Sequence, residues 1–496
     1  MQKYWLKALW CVSAMPLLSL MSDAASAQID FSTKGPFLAE NMILADQKTP
    51  RELGFDDVPI LSDIWGWTDP TDGTEYVIVA SDADHVPIAI RGAVQVADLY
   101  NPSGGIAFAR LDDDGVIHPL GVWRHPTVEH TDHGDIQVFG NYAYVIGENP
   151  GYGLVVFDLT RLRNREPCLS VADCAQSKLH ELPGFGVVVR SVRDNAGREV
   201  SISNAHNLTI DEESGFMAIH AASTDRDDTV GKIRPKSTMV LRIEAAYPLA
   251  PTLLVDLNKP SHDGLIVRYR GPDAEHYGKR ILLLANGYKH HFIEANPTEV
   301  VNNPKSGPSI YQLTETDGET VSIRKLSRQT TYEDDNFGHQ LALSDDHSYV
   351  FFNDEDQIRR PGPARQIVFD IAKLKHPVEL FQCHHVVESI SHDAYVRDDL
   401  LVSGNYTSGV RITDVSSVEG SLCVDGQLDE IADFDTEPRL NDFSDELFFD
   451  ISPDVTLQAF TDFAGVWGNY PYFDSGYIIA SDFFNGVFSL KLDLPD

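Results

Sequence analysis

A short phrase recurs through this chain: a histidine, a small polar residue, two further positions and an aliphatic residue. It stands at His206-Asn207 with Ile210, at His262-Asp263 with Ile266, at His339-Gln340 with Leu343 and at His392-Asp393 with Val396. The clearest copy, Ser391 to Ser416, continues through an apolar run to Val402, turns at Ser403-Gly404-Asn405 and again at Ser408-Gly409, and ends on alternating Val410, Ile412 and Val415. Period-two apolar spacing punctuated by glycine turns is the pattern of a β-meander. Less complete copies start near Asp63, Asp135 and Asn469. Taken as equivalents, Asp63, Asp135, His206, His262, His339, His392 and Asn469 mark seven units roughly 50 to 80 residues apart, the signature of a repeat architecture.

No long helical periodicity interrupts the units. Seven strand-rich repeats in 496 residues predict an all-β, seven-bladed β-propeller, in which radial repetition leaves only short protected sheet edges. The last unit supplies three clear strands, so closure requires a fourth from the N-terminal segment near Asn41 to Leu44. We expect residues 28–59 to be a lead-in holding that strand, and residues 60–496 to be the propeller, with polar insertions near 296–309 and 425–454.

The start of the chain reads as an address. Lys3 and Lys7 precede an apolar run from Ala8 to Met21, and Ala25-Ser26-Ala27 offers a small-residue cleavage site, so residues 1–27 are expected to be a secretory signal peptide. No later stretch has the ~18 apolar residues of a membrane span. Four cysteines then remain, an even number suited to disulfides in an exported chain. Cys168 with Cys174 and Cys383 with Cys423 are the expected pairs; with no CxxC present, a zinc site is not indicated.

Seventy-five acidic against 39 basic residues give a formal charge of −36. That charge repels nucleic acid and anionic lipid. It suits a solvated acidic coat, or the binding of divalent cations. The turn Asp112-Asp113-Asp114-Gly115 lacks the ligand spacing of an EF-hand and reads as a hairpin turn, with calcium as the competing account.

Several of these segments together resemble a known family. Ser62-Asp63-Ile64-Trp65-Gly66-Trp67-Thr68-Asp69-Pro70, Asn204-Ala205-His206-Asn207-Leu208, Gly271-Pro272-Asp273-Ala274, Gly404-Asn405-Tyr406 with Gly409-Val410-Arg411-Ile412, and Trp467-Gly468-Asn469-Tyr470-Pro471-Tyr472-Phe473 are similar to the choice-of-anchor B proteins, which carry LVIVD-type repeats. The resemblance implies an exported bacterial β-propeller and supplies no reaction.

The candidate chemistry is the set of repeated histidines. If each opens the innermost strand of its blade, His133, His206, His262, His339 and His392 converge near one mouth of the central channel, where with Asp135, Asp263 and Asp393 they would suit zinc, iron, manganese or copper. The competing account makes each histidine a staple between blades, with Asp158, Asp370 and Asp414 as available partners. Repetition favours the staple, because a catalytic centre needs one constellation and a staple is wanted in every blade. Trp65, Trp67, Trp467 and Tyr470 are candidate binding aromatics, with packing between blades as the alternative. HExxH, GxSxG, P-loop and GxGxxG motifs are absent. The sequence therefore leads to a non-catalytic exported monomer presenting loops to an extracellular protein or glycan, with a metal-dependent enzyme centred on the channel histidines as the alternative.

Overall fold

A computed structural model describes residues 37–495 apart from 56–59, 83–87, 91–103, 129–130, 132, 224–236, 288–305, 317–319, 328–330, 333–336, 356–362, 419–421, 438–446, 453–454 and 460–463. The expected signal peptide and most of the insertion at 296–309 lie outside the described residues. Seven sheets, each with four inner strands paired antiparallel, form the blades of a propeller. Their innermost strands are Ile60–Thr68, Asp135–Phe139, Asn207–Asp211, Asp263–Arg268, Gly338–Leu343, Ala394–Arg397 and Val466–Tyr470, belonging to blades 1 to 7 in chain order. Each innermost strand packs beside the next, and blade 7 returns to blade 1, which closes the circle.

Closure uses the N-terminal segment as expected. Met42–Lys48 pairs antiparallel with Gly486–Leu492, supplying the outer strand of blade 7. Just before it, Leu38–Glu40 adds a fifth strand to blade 6 by pairing with Glu430–Asp435. One segment of about ten residues thus grips both blades beside the seam. The strand Glu430–Asp435 falls within the expected insertion at 425–454, so the first part of that stretch is blade structure. Farther on, Leu447–Ser452 and Val455–Ala459 join Ile88–Ile90 in a separate three-stranded sheet.

A blade is sandwiched between two neighbours, so its middle strands bury both faces. This explains why they read as largely apolar runs, such as Leu154–Asp158 and Arg280–Ala285. The core is accordingly divided into clusters between blades. Tyr144, Ile146, Leu154 and Val156 of blade 2 pack on Leu208, Met217, Ile219 and Leu241 of blade 3, and Val402, Val410 and Ile412 of blade 6 pack on Ala480, Phe488 and Leu490 of blade 7. At the second turn of blade 6, Gly409 has φ +74°, and a Cβ there would collide with the Phe434 carbonyl of the adjoining strand. Only glycine fits.

Both expected cysteine pairs are disulfides, Cys168–Cys174 and Cys383–Cys423. The first sits at a short helix, Val171–Ala175, beside blade 1. The second ties the outer strand of blade 5 to Cys423–Val424, which extends the same sheet. The Asp112 turn is a hairpin turn: Asp112 accepts from the amides of Asp114 and Val116 through one oxygen, and its other oxygen lies 2.7 Å from His118 Nε2. Among the described residues, no helix is long and apolar enough to cross a membrane.

Candidate functional site

At the start of the innermost strands of blades 2 to 7, or within two residues of it, stands an aromatic side chain. His133, His206, His262, His339, His392 and Trp467 form a closed circuit of rings. Centroid separations are 5.4 Å for His133–His206, 4.2 Å for each of His206–His262, His262–His339 and His339–His392, 4.5 Å for His392–Trp467 and 5.6 Å for His133–Trp467. All five sequence-predicted histidines therefore come together. Trp467 takes the blade 7 position among them, so it belongs to this ring and not to an exposed binding face.

One residue deeper lies a second layer, of carboxylates and amides. Asp63 Oδ2 accepts from Ile136 N at 2.9 Å, Asp135 Oδ2 from Leu208 N at 2.7 Å, and Gln340 exchanges two hydrogen bonds with the backbone of Ala394. In each case the side chain reaches the next blade one residue past that blade's own member of the layer. These are the staples. Asp63 and Asp135 therefore match Asp263 and Asp393 in register, and not the histidines with which the sequence pairs them. Two irregularities hide this: Gly134 is inserted after His133, and blade 7 carries Trp467 where most blades carry histidine.

The aspartates expected to hold the histidines do something else. Asp158 accepts from Thr160, Asp370 from Ala372 N and Asp414 from Ser416 N. Each caps its own turn two residues on, the local bond that aspartate makes most readily. His262 and His392 do reach neighbouring blades, but through backbone: Nδ1 of His262 lies 3.2 Å from the His339 carbonyl, and Nδ1 of His392 lies 2.7 Å from the Trp467 carbonyl. A ring that donates Nδ1–H to a carbonyl is fixed in the tautomer whose Nε2 carries a lone pair. For His392, that Nε2 is buried and has no hydrogen-bond partner among the described residues. The same holds for Nδ1 of His339.

Carboxylates complete the cluster. Glu355 follows the second strand of blade 5, where its amide donates to the Phe337 carbonyl, and its Oε2 lies 3.7 Å from His339 Nε2. Tyr406 of blade 6 donates its hydroxyl to Glu355 Oε1 at 2.7 Å, fixing that carboxylate. Asp393 Oδ1 lies 3.4 Å from His392 Nδ1 and 3.8 Å from His339 Nδ1. Two buried triads result, His262/His339/Glu355 and His339/His392/Asp393, each with one donor atom per residue within 4.8 Å of the others. Two donors ~2.1 Å from one ion span at most ~4.2 Å. Across the ring Glu148 holds His206, Nδ1 to Oε1 at 3.1 Å, and its other oxygen lies 4.0 Å from His133.

The electrostatics of the two layers differ. Burial, reinforced by the charges of His392, His206 and His133, pushes His339 well below the usual imidazole range. Burial also opposes charge on His392, but the neighbouring Asp393, with Glu355 and the Trp467 carbonyl, outweighs it and raises that imidazole. In the deeper layer, burial and the Asp393 charge lift Asp63 to about 8. Burial and mutual repulsion lift Asp135 and Asp263 as well.

Of the candidate aromatics, Trp67 donates its Nε1–H to the Gly140 carbonyl of blade 2 at 3.0 Å and is packing between blades. Trp65 and Tyr470 line the channel beyond the carboxylate layer. Glu355 escaped sequence reasoning because a lone glutamate has no contrast in so acidic a chain. Its position directly after a blade's second strand, shared with Glu148 a residue further on, is the signal that could have found it.

No family model matches the chain, and no curated protein matches it. Among solved structures, the crystal structure of the WD40 beta propeller domain of Doa1 is similar, with a TM-score of 0.43 and 12% identity over 91% of this chain and 97% of that one.

Proposed function

We propose that this protein is a metal-dependent enzyme whose centre is a divalent transition-metal ion held in the propeller channel at His339, by the His262/His339/Glu355 or the His339/His392/Asp393 triad. The observation that carries this reading is the pair of buried imidazole nitrogens without hydrogen-bond partners, on His339 and His392, within a run of three rings spaced at 4.2 Å. A buried unsatisfied polar atom costs about 1–3 kcal/mol. A metal ion satisfies several at once and also relieves the carboxylates beside them. Two imidazoles with one carboxylate suit iron(II), manganese or zinc and leave coordination positions for water or substrate. The backbone bonds of His262 and His392 support the same reading, because ligating histidines use their second nitrogen in this way.

The protein is further proposed to work outside the cytoplasm. The resemblance to choice-of-anchor B proteins, the signal-like residues 1–27 and the two disulfides support that placement.

Metal analysis of protein purified without a histidine tag tests the centre. About one equivalent of transition metal is expected. It should fall more than tenfold in His339→Ala. Glu355→Gln keeps an acceptor for Tyr406 and should weaken metal binding while the protein still melts cooperatively. Metal-free protein with an intact fold after supplementation with iron, manganese and zinc would overturn the proposal.

A further inference from the structure

Beyond the carboxylate layer, away from the histidines, the channel opens into a cavity of about 470 Å³. Its lining changes character around the circumference. Trp65 of blade 1, Tyr395 of blade 6, and Tyr470 and Tyr472 of blade 7 form one wall as a closed circuit of rings, with centroid separations of 5.0 Å for Trp65–Tyr470, 5.4 Å for Tyr470–Tyr472, 6.0 Å for Tyr395–Tyr472 and 5.7 Å for Trp65–Tyr395. Blades 2 to 5 supply the opposite wall with shorter side chains such as Thr209, Leu265 and Ala342. At the floor, Asp135 and Asp263 line the cavity. Asp63 and Asp393 complete their layer, and Tyr395 is within electrostatic reach of all four.

The charge beside this floor is His392, 3.4 Å from Asp393, and among the described residues no lysine or arginine pairs with it. Arg270 is the one Lys or Arg among the lining residues, and it is held at the rim by Glu213 at 2.6 Å. The nearby Arg397 donates to the carbonyls of Pro471 and Phe473. Within the layer, Asp63 is 3% exposed, and its Oδ1 has no hydrogen-bond partner among the described residues. That oxygen faces Gly468, where a Cβ would stand only 2.7 Å from it.

We propose that this cavity is a binding site for an organic ammonium ion. The cationic head sits above the carboxylates, and its methyl or methylene groups lie against the Trp65–Tyr395–Tyr470–Tyr472 wall. Electron-rich ring faces attract cations, most strongly where water is excluded, and the volume is in the range of small-molecule sites. A neutral sugar would use the aromatic wall but leave the crowded carboxyl groups as they are, whereas a cation relieves their mutual repulsion, and so the carboxylate floor decides for the cation. The site is distinct from the metal centre: none of the cavity's lining residues is a proposed ligand, although Asp393 borders both.

Titration calorimetry with choline and with 3,3-dimethyl-1-butanol, its uncharged isostere, tests the proposal. Choline should bind at least ~10-fold more tightly than the isostere. Asp263→Asn, which keeps an acceptor for the Gly264 amide, should weaken choline ~10-fold, and Tyr472→Leu, at the rim where misfolding is least expected, ~5-fold. His339→Ala should leave choline binding unchanged, so loss of the metal centre and failure of this site are separable. Equal binding of the isostere overturns the proposal, as does binding of glucose in preference to choline, the absence of choline binding, or binding that neither Asp263→Asn nor Tyr472→Leu alters.

Discussion

Two rings of polar side chains lie one residue apart on the same seven strands, and they treat burial in opposite ways. In the deeper ring Asp63, Asp135 and Gln340 each bond to the backbone of the next blade. In the outer ring, the nitrogens of His339 and His392 that face the channel are left without hydrogen-bond partners among the described residues. The staple recurs in blades 1, 2 and 5, each time from the layer below the histidine rings. The histidines are the part that breaks symmetry: Ser62 and Trp467 replace them in blades 1 and 7, and carboxylates stand beside them unevenly, Glu355 and Asp393 around His339 and Glu148 between His133 and His206. A scaffold repeats what holds it together and varies what acts.

The comparison can be broken most severely by opening the circle. Deleting residues 28–49 removes the strand Met42–Lys48 and should abolish both rings together, seen as loss of cooperative thermal unfolding; an unchanged melting temperature would show that the seam holds without it. Separation of the two layers comes next. Asp135→Ala strands the Leu208 amide and should cost about 1–3 kcal/mol of stability in denaturant titration while metal content is retained. Metal loss at unchanged stability would reverse the roles assigned to the layers. His206→Ala is the finer contrast within the outer ring. His206 is held by Glu148 and belongs to neither triad, so metal affinity should fall less than tenfold, against the much larger loss expected at His339.

The deeper ring also predicts a pH dependence. Asp63 is lifted from 3.8 to about 8, so the folded protein retains a proton that the unfolded chain has released. The folded state binds more protons across that window, and metal-free protein should lose stability as pH rises through it. Asp63→Asn keeps an acceptor for Ile136 N and should flatten the slope of melting temperature against pH; a slope unaltered by the change would remove Asp63 from the account. The smallest effect is expected outside both rings. Trp67→Phe deletes the bond to the Gly140 carbonyl and should cost about 1 kcal/mol by denaturant titration, with ligand and metal binding unaltered.

Much of the scaffold was legible in the sequence because its signals are local. Glycine turns, two-residue alternation and the short spacing of Cys168 and Cys174 act within a few residues, and the N-terminal strand could be inferred because blade 7 was short by one. Register across blades was not legible. Matching residue types placed Asp63 and Asp135 with the histidines, whereas backbone pairing places them one residue deeper. Asp158, Asp370 and Asp414 looked like partners for the histidines because they recur in phase with them, yet each is consumed by its own turn. The channel itself is assembled from positions roughly 50 to 80 residues apart. Glu355 and Tyr395 gain meaning only when seven strands are wrapped around one axis.

The seam between the first and last strands also imposes an order of events. Met42–Lys48 is made well before its partner Gly486–Leu492. Until that partner emerges, the early strand is an unpaired edge that could adhere to another chain. Contacts spanning almost the whole chain are also the slowest to form. The rings of side chains around the axis therefore take their final spacing only once Gly486–Leu492 has been made, so that a chain truncated before that strand should carry neither site, however many intact blades it contains.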